Sequence, residues 1–160
     1  MSVISVDKDP EALTMTINAE YGASIDQVWN LWEDPRLLEQ WWGPPTYPAT
    51  MVDHDLTPGG RVRYYMTGPE GDKAAGWWHV LEVDAPHRLS FENGIADDSG
   101  EPMVDMPAMI MQVVLSETPS GGTRMMIEGT FPSEGAMERF LSMGMEEGIT
   151  GSVSQIDGLL

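Results

Sequence analysis

The stretch that most constrains the fold is the carboxy-terminal segment, residues 133–160, because its apolar residues recur at helical spacing. At about 100° per residue, one side of a helix would be apolar and the opposite side charged. The apolar side holds Met137, Leu141, Met145, Ile156 and Leu159, and the opposite side holds Arg139, Glu146 and Asp157. The pattern predicts one long amphipathic helix, with its N-cap at Ser133 and its apolar side against a sheet.

Three glycines interrupt this predicted apolar side. Gly144, Gly148 and Gly151 have i, i+4, i+7 spacing and would lie in its middle. A glycine inside a helix costs about 0.5–1 kcal/mol relative to alanine, so three of them need a compensating reason. Either a neighbouring segment packs very close to the helix backbone, or the missing side chains leave room for another molecule. The second explanation, a cavity floor, is the sharper hypothesis, and the first stays an alternative.

The rest of the chain is typical of an antiparallel sheet. Residues 1–10 form a polar lead-in, and residues 12–23 alternate as a half-buried strand. Two short helices follow, one capped by Ser24 and one starting at Asp34-Pro35. Further strands are predicted at residues 47–56, 61–67, 76–83, 88–94, 109–117 and 123–131. Successive strands without intervening helices indicate an α+β fold, here a single domain over residues 1–160.

Composition excludes several classes of function. Twenty-six acidic against eight basic residues give a net charge of -18, so we expect neither nucleic acid nor an anionic membrane as a partner. The absence of cysteine excludes disulfides, thiol nucleophiles and thiolate zinc sites. Residues 1–10 lack the pattern of a signal peptide, and no apolar run is long enough to span a membrane, so we expect a cytoplasmic protein. No pattern in the chain indicates a cofactor.

Five short motifs occur in register along the chain. They are Trp41-Trp42-Gly43-Pro44, residues 55–61 (DLTPGGR), residues 84–89 (DAPHRL), Gly122-Thr123-Arg124 and Met145-Glu146-Glu147-Gly148. Together they resemble the START-related (SRPBCC) superfamily, and more narrowly its bacterial branch similar to the carboxy-terminal domain of the heat shock protein 90 ATPase activator. The resemblance implies a helix-grip fold, in which a curved antiparallel sheet of six to seven strands wraps a long carboxy-terminal helix around an apolar cavity. Members of this superfamily bind small molecules, act as enzymes or serve as co-chaperones.

Aromatic residues, methionines and the helix glycines are the candidates for lining such a cavity. The candidate set is Trp41, Trp42, Tyr64, Met66, Trp78, Phe91, Met109, Met111, Phe140, Gly144, Met145 and Gly148. Methionine is flexible and fills irregular space, which suits an adaptable apolar pocket. His79, beside two tryptophans, is the candidate for a polar contact with a ligand. We expect no metal site, because His54 points away from Asp53 and Asp55 on a strand.

Three hypotheses about function follow from these residues. The first is a binding module for an apolar or aromatic small molecule, with no catalytic residue. The second is an enzyme similar to polyketide cyclases or hydrolases, which would need His79, Glu82 or Glu92 inside the same cavity. The third is a protein-interaction domain that contacts a chaperone or a second copy of itself, which would need an exposed apolar patch near Trp77-Trp78.

Overall fold

The computed structural model describes residues 3–160 and contains one eight-stranded antiparallel sheet and four α-helices. The strands are β1 (Val3–Asp9), β2 (Thr14–Tyr21), β3 (Ala49–His54), β4 (Arg61–Thr67), β5 (Lys73–Asp84), β6 (Arg88–Ala96), β7 (Met109–Glu117) and β8 (Thr123–Thr130). The helices are α1 (Ile25–Glu33), α2 (Pro35–Trp41), α3 (Glu134–Ser142) and α4 (Met145–Val153), followed by a 3-10 turn, Ile156–Leu159. The sheet order is β1-β2-β8-β7-β6-β5-β4-β3. The predicted α+β, helix-grip class is confirmed.

The amino-terminal segment corrects one prediction. Residues 3–9 of the predicted polar lead-in form β1, which pairs with β2 and places Val6 opposite Ile17, while residues 1 and 2 lie outside the described residues. The sheet therefore has eight strands rather than six to seven, and the two short helices follow the second strand. An edge strand tolerates polar side chains because only one of its sides is paired. Lys8 on this edge strand forms an ion pair with Glu146 of α4, Nζ to Oε1 2.5 Å.

The predicted helix starts at Ser24, Asp34 and Ser133 are confirmed. The Ser24 and Gln27 side chains each accept from the other's backbone N–H, at 3.3 and 3.1 Å, and so form a capping box. Asp34 accepts from the Arg36 amide at 2.8 Å, with Pro35 as the first helical residue. Ser133 accepts from a backbone amide in the first turn of α3 at 3.1 Å. These side chains satisfy backbone donors that a helix start leaves unpaired.

The prediction of one continuous carboxy-terminal helix is wrong. Gly144 has φ +87°, in the left-handed region, and separates α3 from α4. An L-residue with a side chain pays roughly 1–2 kcal/mol for this conformation, whereas glycine adopts it freely. The amides of Met143 and Gly144 still bond back into α3, to Phe140 at 3.2 Å and Leu141 at 3.1 Å. The segment thus covers the sheet as two helices joined at a glycine.

One half of the inner face of the sheet is filled by aromatic rings. We call this cluster the aromatic wall; it comprises Trp32, Trp41, Trp42, Trp78 and Phe91. Trp78 stacks on Phe91 with ring centroids 3.9 Å apart, and Trp42 meets Trp78 edge-on at 4.8 Å. All five are buried, and the Trp41 indole donates to the Leu31 carbonyl at 3.0 Å. The wall fixes α1 and α2 against strands β5 and β6.

Candidate ligand cavity

A cavity of about 350 Å³ lies beside the aromatic wall, between the inner face of the sheet and the start of α4. Strands β4 to β7 contribute one side, and the α3–α4 junction and α4 contribute the other. The lining residues are Trp42, Pro44, Tyr47, Tyr64, Met66, Ala74, Asn93, Met109, Met111, Met143, Gly144, Met145, Gly148, Ile149 and Ser152. Most of this lining is apolar, and its few polar groups are side chains without charge.

Strand alternation and one glycine position the aromatic side of the cavity. Tyr64 and Met66 on β4 face inward, whereas Arg63 lies on the outer face. Gly76 pairs with Tyr64 across β4 and β5, and a Cβ at Gly76 would overlap the phenol ring and its hydroxyl. A side chain at position 76 would therefore push the Tyr64 ring out of its place. Because glycine has no side chain, the ring can lie against the backbone of β5.

The three helix glycines have different surroundings. A Cβ at Gly148 would meet no atom within 4 Å, so the surface of α4 at this position opens onto the cavity. A Cβ at Gly151 would lie 3.6 Å from Pro44 and 3.7 Å from Pro45, which is ordinary packing distance. Gly144 instead supplies the left-handed junction. The cavity explanation thus applies to Gly148, whereas none of the three glycines is required by a very close neighbouring segment.

Methionine side chains from strands β4 and β7 and from helix α4 form another part of the cavity lining. We call this the methionine side; it comprises Met66, Met109, Met111 and Met145. The Met109 side chain lies over Gly129 of β8, and a Cβ at Gly129 would overlap the terminal methyl group of Met109. The methyl group of Met145 would lie 3.9 Å from the same Cβ. Unbranched thioether chains change rotamer at low cost, so this side adapts to the shape of its contents.

Burial and neighbouring donors act in opposite directions on Tyr64. Burial disfavours the phenolate and raises the pKa of Tyr64 above its usual value, while nearby donor groups of Trp42, Asn93 and Trp78 oppose the rise. None of these three groups reaches hydrogen-bonding geometry with the phenol. The Trp42 and Trp78 indole nitrogens are buried and have no hydrogen-bond partner within residues 3–160. The hydroxyl of Tyr64 is therefore surrounded by donors whose hydrogen bonds are not completed.

The other polar groups of the lining are already engaged. The Tyr47 hydroxyl donates to Asp72 at 2.6 Å. The Ser152 hydroxyl lies 2.8 Å from the Trp42 carbonyl oxygen and 2.9 Å from that of Gly148, so its proton is used within the protein. Neither side chain is free to bind a ligand without losing a bond that it now makes.

The structure brings eight of the twelve candidate residues together around the cavity. These eight are Trp42, Tyr64, Met66, Met109, Met111, Gly144, Met145 and Gly148. Trp41, Trp78 and Phe91 lie behind them in the aromatic wall, and Phe140 packs on Phe131 with ring centroids 5.8 Å apart. Sequence reasoning missed Asn93, although it lies two residues after Phe91 on the same face of β6, which was a usable signal.

The position of His79 corrects the predicted polar contact. His79 is exposed on the outer face, where its Nδ1 lies 3.2 Å from a Glu92 carboxylate oxygen. Its neighbour Trp78 points inward, and strand alternation then turns His79 away from the cavity. Glu82 is also exposed. The enzymatic hypothesis required one of these three ionisable side chains inside the cavity, and none of them is there.

The outer face of the sheet carries two shallow grooves of about 380 and 530 Å³. Two of their charged residues have charged partners: Arg63 Nε donates to Asp53 at 2.6 Å, and His79 faces Glu92. Trp77 lies half-buried over Gly94 and donates to the Ile95 carbonyl at 3.2 Å. Because Trp78 is fully buried on the opposite face, the two tryptophans do not form the exposed apolar patch that the interaction hypothesis required.

Within residues 3–160 no helix combines the length and apolarity needed to cross a bilayer.

Comparison with known proteins gives a family and several close structures. The family model for Activator of Hsp90 ATPase homolog 1-like protein matches residues 22–160. A crystal structure of a protein from Mycobacterium smegmatis is 47% identical, with 99% of this chain and 96% of that chain covered and a TM-score of 0.92. A solution structure from Arthrobacter aurescens is 49% identical, covering 98% and 90%, with a TM-score of 0.93. A solution structure from Staphylococcus epidermidis is 27% identical, covering 98% and 93%, with a TM-score of 0.84. No curated protein matches significantly.

Proposed function

This chain belongs to the family of Activator of Hsp90 ATPase homolog 1-like proteins, and we propose that it binds an apolar or aromatic small molecule in the cavity between α4 and the sheet. Gly148 is the observation that carries the proposal. It lies on the cavity side of α4, and a Cβ there would meet nothing within 4 Å. A glycine kept in a helix without a close neighbour leaves space that a bound molecule can fill.

The size and lining of the cavity support the same function. Its volume of about 350 Å³ lies at the lower end of the range for small-molecule pockets, about 300–1,000 Å³. Trp42, at the edge of the aromatic wall, and Tyr64 give a rigid surface for a flat ring, and the methionine side gives an adaptable one. Met143 is largely exposed at the rim and borders an entrance from solvent.

Replacement of Gly148 by leucine tests the proposal. The new side chain should enter the cavity and displace a neutral fluorescent probe, N-phenyl-1-naphthylamine, whose saturable emission increase reports binding to the wild type. Because leucine favours a helix over glycine by about 1 kcal/mol, Gly148→Leu should fold with unchanged or raised thermal stability. Loss of binding together with retained stability is the expected result.

Gly135→Leu is the matched control. Gly135 also lies in a helix, α3, with no atom within 4 Å of its would-be Cβ, but it is exposed and remote from the cavity lining. This variant should bind the probe as the wild type does. Unchanged binding by Gly148→Leu would show that the molecule occupies another place and would overturn the proposal. Native mass spectrometry of protein from its own host would then identify what copurifies.

A further inference from the structure

The polar groups that remain available in the cavity are few and uncharged. With Tyr47 and Ser152 engaged inside the protein, the side chains left to meet a ligand are Tyr64, Asn93 and, through its indole N–H, Trp42. None of the described lining residues is a lysine, arginine, histidine, aspartate or glutamate. A charged group placed there would be buried without a partner, at a cost of several kcal/mol. The cavity therefore suits a neutral ligand.

The direction of the hydrogen bonds is set by the aromatic wall. An indole N–H can only donate, and both buried indoles next to Tyr64, those of Trp42 and Trp78, lack a partner among the described residues. The Trp42 ring meets the Tyr64 ring with centroids 6.0 Å apart, and Tyr64 is held over Gly76, only 8% exposed. Because neither indole can accept a hydrogen bond, the phenol must donate its own proton elsewhere.

The phenol proton can be donated either to a ligand in the cavity or to Asn93. In both arrangements a hydrogen-bond donor faces the cavity. If the proton points into the cavity, the ligand meets an O–H donor. If Asn93 accepts it through its amide oxygen, the Asn93 amide turns its N–H groups towards the cavity instead. In either arrangement the ligand meets a donor, and a buried donor left without an acceptor costs about 1–3 kcal/mol.

Building on the proposed function, we propose that the ligand is a neutral apolar or aromatic molecule bearing an acceptor oxygen, such as a ketone, ester or ether, which Tyr64 and Asn93 bind at the edge of the aromatic wall. The oxygen completes the hydrogen-bond chain of Tyr64 and Asn93, and the apolar body lies between that wall and the methionine side. A hydrocarbon of the same shape fills the same space but leaves the donor unpaired.

A pair of isosteric probes tests this polarity. 2-Acetylnaphthalene has the acceptor oxygen, and 2-isopropenylnaphthalene has the same shape with a methylene group in place of that oxygen. Dissociation constants of both are measured for the wild type, Tyr64→Phe and Asn93→Ala, with thermal unfolding as the check on folding. A change in cavity shape affects both dissociation constants alike, because the two compounds have the same shape. The ratio of the two constants therefore reports the hydrogen bond. Relative to Tyr64→Phe, the wild type should favour the ketone by about tenfold, as expected for one hydrogen bond worth roughly 1 kcal/mol or slightly more.

The outcomes separate this inference from the proposed function. If the ratio of the two dissociation constants stays at its wild-type value in both variants, the donor role of Tyr64 and Asn93 is overturned. The cavity is still supported in that case if either compound binds the wild type and Gly148→Leu abolishes that binding. A lower ratio in Asn93→Ala as well as in Tyr64→Phe places both side chains in the hydrogen-bond chain. Failure of both compounds to bind the wild type would overturn the proposed function, and this inference with it.

Discussion

The aromatic wall and the methionine side lie on the same face of the sheet but differ in how closely their side chains pack. In the wall, ring centroids lie 3.9 to 6.4 Å apart in stacked and edge-on contacts, and each ring is at most 7% exposed. On the methionine side the facing helix contributes Gly148 instead of a bulky residue, and a cavity remains. Rings with two torsions hold their positions, whereas thioether chains rearrange. The rigid aromatic wall thus keeps the cavity open, and the flexible methionine side chains can adapt its shape.

Trp42 and Tyr64 mark the border between the two halves. Both line the cavity, and their rings meet edge-on with centroids 6.0 Å apart. The Trp42 indole N–H and the Tyr64 phenol are the polar groups at this border. We infer that stability depends mainly on the wall, and ligand binding mainly on the methionine side and this border.

Truncation in the two halves should give unequal losses of stability. Trp78→Ala should lower the free energy of unfolding by about 3–5 kcal/mol, because it leaves a large hole among packed rings. Met66→Ala should cost only about 1 kcal/mol, because this side chain is half-buried beside an existing cavity. Urea denaturation of both variants measures the difference. Equal losses would show that the methionine side is as tightly packed as the wall.

Alanine at two glycines of the same segment should change stability in opposite directions. Gly144→Ala forces a side chain into the left-handed region and should lower the free energy of unfolding by about 1–2 kcal/mol. Gly148→Ala adds a methyl group to a regular helix facing open space and should raise it by about 0.5–1 kcal/mol. Thermal melting of the two single variants decides the matter. A loss in Gly148→Ala would mean that the space above α4 is already filled.

The smallest expected effect is a pH dependence at the border. Because burial raises the pKa of Tyr64 in the folded state, the phenol is protonated in both states at neutral pH and does not affect stability there. Above about pH 10 the unfolded chain ionises first, so stability should fall as the pH rises towards the folded pKa. Tyr64→Phe should lose less stability than the wild type between pH 9 and 11, measured by denaturation at each pH. The pKa of Tyr47 is also raised, by its hydrogen bond to Asp72. Because both proteins contain Tyr47, its contribution to the pH dependence cancels in the comparison.

Local signals in the sequence were sufficient for most of the fold. The caps at Ser24, Asp34 and Ser133 and the inward direction of Tyr64 depend on neighbouring residues alone, and each is found as predicted. Strand β1 was missed although residues 3–6 (VISV) contain three β-branched residues, a usable signal, because the polar residues 7–9 complete the strand. The break at Gly144 was missed because a glycine inside a helical pattern is compatible with both a helical and a left-handed backbone.

The candidate site could be predicted only in part, for a geometric reason. Alternation indicates which residues face inward, but not whether a given ring packs in the wall or borders open space. Trp78 and Trp42 are both inward-facing, yet only Trp42 reaches the cavity lining. The error at His79 was avoidable, because a residue next to an inward-facing Trp78 on a strand must point outward.

The ion pair between Lys8 and Glu146 links the edge strand β1 to the first turn of α4, the helix that covers the cavity. Both side chains are partly exposed, so dissolved salt screens their attraction, with a Debye length of about 8 Å at physiological ionic strength. For the proposed ligand we therefore expect an exchange rate that varies with ionic strength even when the ligand is uncharged. The amino-terminal strand is thus coupled electrostatically to the helix that carries Gly148.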